Sequence, residues 1–175
     1  MHDGSGLRVE ICEVPYRLVG ASHEQLLHVM RLLGPHRGGC TYGGFTAWRI
    51  DWRYEHRPAG EGWTAGNARV ELKIERTLPE WRPPRSAPST LVLAWNHYLR
   101  ALGAHEDGHV SIARGAGAAL VNALCALRPC TDRTLVDAEV QALTNAVLFD
   151  ARASEAAYDE ATAHGHAQGA TFWRP

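Results

Sequence analysis

An α+β fold is predicted for this chain, with a small antiparallel sheet and one helix in the N-terminal half and long helices in the C-terminal half. Three observations predict it. Apolar and charged residues alternate from Thr46 to Glu55, and the same alternation returns from Ala68 to Glu75. Beyond the Pro-rich stretch Arg82–Pro88 the period changes to helical, with apolar residues from Trp95 to Leu124 and from Leu135 to Leu148. At 175 residues, 45% of them hydrophobic and 21% charged, the chain can bury a core as one domain over residues 1–175.

The elements follow in order. Glu10 to Leu18 reads as a strand, and Pro15 within it predicts an edge position, because proline cannot donate to a ladder. Ser22 with Gln25 forms a capping box ahead of Leu26, Leu27, Met30 and Leu33, and Gly34-Pro35 ends that helix. In the next strand Thr46, Trp48, Ile50, Trp52 and Tyr54 share a face opposite Ala47, Arg49, Asp51, Arg53 and Glu55. Ala68, Val70, Leu72 and Ile74 oppose Arg69, Glu71, Lys73 and Glu75, and the turn-rich connection 57–62 predicts antiparallel pairing of the two strands. Trp48 and Trp52 are expected to pack in the core, although they could also line a cleft for an extended peptide.

Ser86 or Ser89 is expected to cap the start of the first long helix, and Pro129 to end it. Gly103, Gly108, Gly115 and Gly117 each cost it up to about 1 kcal/mol against alanine, so small size is expected where a neighbour approaches closely. Thr131-Asp132 caps a second helix, carried by Leu135, Val136, Val140, Leu143, Val147 and Leu148 and running on to Gly165.

The chemistry-bearing feature is His105-Glu106-Asp107-Gly108-His109. On a helix, residues four apart project from one face, so His105 and His109 can share a metal, while Glu106, rotated by about 100°, lies beside it without ligating. This is the HExxH arrangement of zinc hydrolysis, and Zn2+ is the expected cofactor. A catalytic zinc takes three protein ligands and keeps a position for water. The third is expected from the end of the last helix, with His164 first, Asp159 next, and Glu155 and His166 behind. Glu106 is the expected general base, and Tyr158 the expected donor to a developing oxyanion, with His97 and His166 behind it. Asp159 is otherwise expected to orient a ligand imidazole. Peptide bonds of a peptide or protein are the expected substrate. Two other classes stay open: a catalytically silent zinc-binding envelope protein, and a module whose sheet recruits a partner strand.

A net charge of −1 gives no electrostatic reason to expect nucleic acid, and no apolar run is long enough to span a bilayer. Cys12, Cys40, Cys125 and Cys130 lack the paired short intervals of a structural zinc site. Pairs Cys125–Cys130 and Cys12–Cys40 are expected, with buried free thiols as the alternative.

The chain resembles a bacterial domain-of-unknown-function family described as secreted zinc-dependent proteases, within the zincin metallopeptidases. The residues that carry the resemblance are Tyr16 with Val19-Gly20, Gly34-Pro35, the strand Thr46 to Trp52, Leu78-Pro79 before Trp81, Trp95 ahead of the His105–His109 motif, and Tyr158-Asp159 through Thr162 to His164-Gly165. The resemblance implies a metallopeptidase-like fold, a zinc site on His105, His109 and His164, and export from the cell. The chain departs from the family pattern in having no cysteine near Trp63 to Gly66. Met1 to Gly6 has neither a basic start nor an apolar stretch, so a mature secreted or periplasmic form is expected, with a cytoplasmic member as the alternative.

Overall fold

A computed structural model describes residues 6–172; the expectation drawn from Met1 to Gly6 lies, but for Gly6, outside the described residues. The architecture is α+β, with a helix in the N-terminal part and two long helices in the C-terminal part. Strand β1 is Leu7–Glu13, β2 Tyr16–Leu18, β3 His36–Arg37, β4 Cys40–Thr41, β5 Phe45–Ala59, β6 Gly62–Thr77 and β7 Pro79–Trp81. Helix α1 is His23–Leu33, α2 Ser89–Cys125 and α3 Arg133–Thr162, followed by a short 3-10 turn at His166–Gln168.

Strands β1, β6 and β5 form one sheet in that order. β5 and β6 are longer than their alternation predicts, and only Gly60 and Glu61 separate them, a connection that only antiparallel neighbours allow. Gly60 takes the left-handed backbone such a tight turn needs (φ 60°). The expected loop 57–62 is therefore mostly strand. Pro58 is tolerated because β5 is an edge strand, where its missing N–H breaks no ladder.

Pro15 splits the expected strand 10–18 in two. The part after it leaves the sheet, and β2 pairs in parallel with β7, Tyr16 opposite Pro79 and Leu18 opposite Trp81. A small hairpin, β3 with β4, turns on Gly38 and Gly39, both left-handed. α1 begins as its capping box predicts: the Gln25 N–H donates to the Ser22 hydroxyl at 3.3 Å, and the Gln25 side chain accepts from Ala21 N at 2.8 Å.

α2 runs through all four glycines. Its first hydrogen bond, from Val92 N, is accepted by Pro88 O, so Ser89 is the first helical residue and not a cap. Close approach accounts for two glycines. A Cβ on Gly108 would collide with Tyr158, and one on Gly117 would press Leu7 at 3.0 Å, whereas Gly103 and Gly115 face open space. Asp132 caps α3 by accepting from Leu135 N at 2.9 Å, and α3 stops at Thr162, short of Gly165.

The chain forms two compact units, through which the long strands and helices both run. One, built on Trp48–Ile74 and Ser111–Ala156, buries Val70, Leu72, Ile74, Leu120, Leu124, Val136 and Val140. Within it Trp48 is half-buried and its indole donates to Glu155 Oε1 at 2.7 Å. The other, built on Ile11–Ala47, Glu75–Val110 and the chain from Ala157, has an aromatic core. Trp95 there meets Trp81, Tyr98 and Phe172 at ring separations of 5.6, 5.6 and 5.3 Å, with Leu18, Leu26, Met30 and Leu102 around them.

The four cysteines are free thiols, which corrects both expected pairings; Cys12, Cys40 and Cys125 are exposed, so burial does not account for them either. Among the described residues no helix is long and apolar enough to cross a membrane.

Candidate functional site

The buried stripe of α2 leads directly into the motif. Trp95, Tyr98 and Leu102 recur at spacings of three and four, and the next positions on that face are His105, Glu106 and His109, which are 5%, 3% and 9% exposed. Three polar residues thus occupy places that the helix period gives to core side chains. Each must be compensated there, and each is.

His105 Nε2 and His109 Nε2 lie 3.3 and 3.1 Å from one oxygen, Asp159 Oδ1, on the last turns of α3. The donor atoms of these three residues all fall within 4.8 Å of one another. A metal held at about 2.1 Å by tetrahedral ligands leaves them about 3.4 Å apart, so this donor set fits a zinc-sized ion. Of the other residues weighed as third ligand, His164 stands one step out, its side chain 60% exposed and its Nδ1 3.6 Å from the same Asp159 oxygen. Glu155 is engaged with Trp48, and His166 is exposed in the 3-10 turn. The geometry therefore ranks Asp159 ahead of His164, the reverse of the sequence order. His97 is exposed, with its ring edge near Gly169.

Glu106, beside the histidine pair, is held by contacts of its own. Its Oε2 accepts from the Thr46 hydroxyl at 2.7 Å, and its Oε1 faces Gly44, where a Cβ would come within 3.0 Å. Burial pushes the Glu106 carboxyl above the usual carboxylate range, opposed by the Thr46 hydrogen bond and by neighbouring His109. Burial also lowers the proton affinity of His105, which favours the neutral, metal-binding form. Asp107, the next residue of the motif, points outward and pairs with Arg76, which also holds Glu13 at 2.8 Å; the three charges tie α2 to β1 and β6.

Tyr158 is at the site but not as an exposed donor. Its ring stacks on His105 (5.1 Å, 12°) and meets His109 edge-on at 5.1 Å. Its hydroxyl is directed to His105 O at 3.2 Å and to the Gln168 side chain. Packing against Gly108 makes this possible. Sequence reading missed Thr46, Gln168 and Arg76. Thr46 looked like one more residue on an alternating strand face, and only its place at the start of that face sets it apart. For Gln168 the available signal was Gly165 and Gly169, which mark a turn after the helix.

No curated protein and no solved structure matches the chain. One family does, described as bacterial protein of unknown function (DUF922), and the match runs over residues 14–165, from before β2 to the turn that follows Asp159. It takes in the motif, Thr46 and the end of α3, and by that extent the chain belongs to this bacterial family.

Proposed function

We propose that this protein is a zinc-dependent peptide hydrolase in which His105, His109 and Asp159 hold the metal and Glu106 is the general base. The observation that supports it most is the convergence of two buried imidazoles and a carboxylate beside a second, separately held carboxylate. A zinc ion bound there would lower the pKa of a water toward neutrality and polarise a peptide carbonyl. A purely structural site has no use for Glu106 buried in this way.

The roles of the chain's own residues follow from the contacts. Thr46 occupies Oε2 of Glu106, so Oε1 is the oxygen that takes a proton and later returns it to the leaving amine. Its raised proton affinity brings the carboxyl nearer the working pH, where a base both accepts and releases efficiently. Tyr158 fixes the imidazoles by stacking, with its hydroxyl engaged inside the site. His164, beside Asp159 at the exposed rim, orients the carboxylate.

The test combines metal analysis with hydrolysis of an unfolded protein substrate on the same sample. The purified chain should carry about one zinc, and Glu106→Gln should keep it while hydrolysis falls at least about 100-fold. Protein that takes up no zinc at neutral pH, or a Glu106→Gln variant as active as the parent, would falsify the reading.

A further inference from the structure

The segment after α3 reverses direction within a few residues, and the reversal is costly. Ala163 and His164 both adopt left-handed backbone (φ 47° and 52°), followed by Gly165 at 83°. Side-chain-bearing residues disfavour this backbone, so the surrounding structure must enforce it. The chain then makes its 3-10 turn and closes it with Ala170 N donating to Gly165 O at 3.0 Å. The reversal lays Gly165 against the His105 ring, where a Cβ would approach Cγ to 3.0 Å, and delivers Gln168 to the edge of the same ring.

There the hydrogen bonds form a closed circuit. Gln168 Oε1 lies 3.0 Å from His105 Nδ1; Gln168 Nε2 donates to the Tyr158 hydroxyl at 3.1 Å; and that hydroxyl donates to His105 O at 3.2 Å. The second neighbour of Nδ1, Thr162 Oγ1 at 3.5 Å, gives its own proton to Tyr158 O at 2.7 Å and so also presents a lone pair. Two acceptors facing one ring nitrogen place the proton on that nitrogen.

We propose that Gln168 is a positioning residue that holds His105 in the Nδ1–H tautomer and so presents the Nε2 lone pair to the metal. The assignment rests on the reading of His105 as a ligand. In this tautomer Nε2 carries no proton, and it faces Asp159 Oδ1 at 3.3 Å, lone pair toward lone pair, an arrangement that a cation between them relieves. An unconstrained histidine favours the opposite tautomer, so without Gln168 the ring would have to switch before it could ligate.

The experiment reads the proton directly. Long-range proton–nitrogen NMR on the metal-free, histidine-labelled chain, above the imidazole pKa, should show His105 protonated at Nδ1, the signal being assigned by its loss in His105→Gln. Gln168→Met, which removes the acceptor at an exposed position, should convert His105 wholly or partly to the Nε2–H form and weaken zinc binding roughly 10- to 100-fold. Gln168→Glu keeps an acceptor and should restore both. An Nε2–H tautomer in the parent chain, or a Gln168→Met variant unchanged in tautomer and zinc affinity, overturns the assignment. A locked Nδ1–H tautomer in a chain that takes up no zinc would support the role of Gln168 while the metal reading alone fails.

Discussion

Thr46 donates its hydroxyl proton to Glu106 Oε2 across 2.7 Å, joining the start of β5 to the motif helix at the one carboxylate oxygen turned away from Gly44. The bond holds a buried carboxylate in one orientation. Thr46→Val keeps the shape and removes the donor, which for a charged acceptor costs roughly 1.5 to 3 kcal/mol, and hydrolysis is expected to fall about 10- to 100-fold in kcat with zinc content unchanged. Thr46→Ser should recover most of the loss. Equal rates for the valine and serine variants would show that the hydroxyl does not position Glu106.

Glu106 also makes the metal-free protein sensitive to pH. Its folded pKa is raised by burial above the unfolded value of about 4.3, so as pH rises the unfolded chain loses this proton first. Stability from this group is complete below the unfolded pKa and is lost as pH climbs through the folded one. Glu106→Gln should accordingly be more stable than the parent at pH 7 to 8, with the gap closing towards pH 4. Urea denaturation of the two chains across that range measures it, and a gap that widens in acid contradicts the assigned sign.

Asp159 and His164 separate by metal retention. Asp159→Ala removes one of three converging donors and should empty the site, while His164→Ala should leave zinc bound with at most about 10- to 100-fold lower affinity, the scale of an outer orienting group. Competition with a chelator ranks the two. The opposite order would put His164 on the metal with Asp159 behind it.

The glycines of α2 give a matched pair. Gly108→Ala would drive a methyl into Tyr158 and should destabilise by roughly 1 to 3 kcal/mol, whereas Gly103→Ala meets open space and should stabilise by up to about 1 kcal/mol. Thermal melts of both variants check the contrast. Similar shifts in the two would mean that Tyr158 does not rest on Gly108.

What the sequence made legible was periodic or motif-like. Alternation marked β5 and β6, the Ser22–Gln25 box marked the start of α1, and four-residue spacing put His105 and His109 on one face. The rest depended on chain reversals. Pro15 signalled an interruption, but nothing local says that Tyr16 to Leu18 will pair with Pro79 to Trp81, a contact between residues far apart in the chain. The place of His164 relative to Asp159 was not legible for a related reason. His164 was expected to end a helix and fold back, but α3 stops at Thr162, and the left-handed backbone at Ala163 and His164 turns that imidazole toward solvent while Asp159 stays in the helix facing α2.

The C-terminal reversal carries a consequence for the order of assembly during synthesis. The motif residues of α2 precede Asp159 by about 50 positions and Gln168 by about 60, and the same segment supplies Phe172 to the aromatic core around Trp95. A nascent chain that has exposed only α2 therefore offers two histidines and a glutamate with no third donor, no partner for His105 Nδ1 and an unfilled core. Under the proposed metal site, capture of the ion has to wait until the last turns of α3 and the segment beyond it have emerged and folded back. A ribosome-bound intermediate would then lack the donor set on which the proposed activity depends.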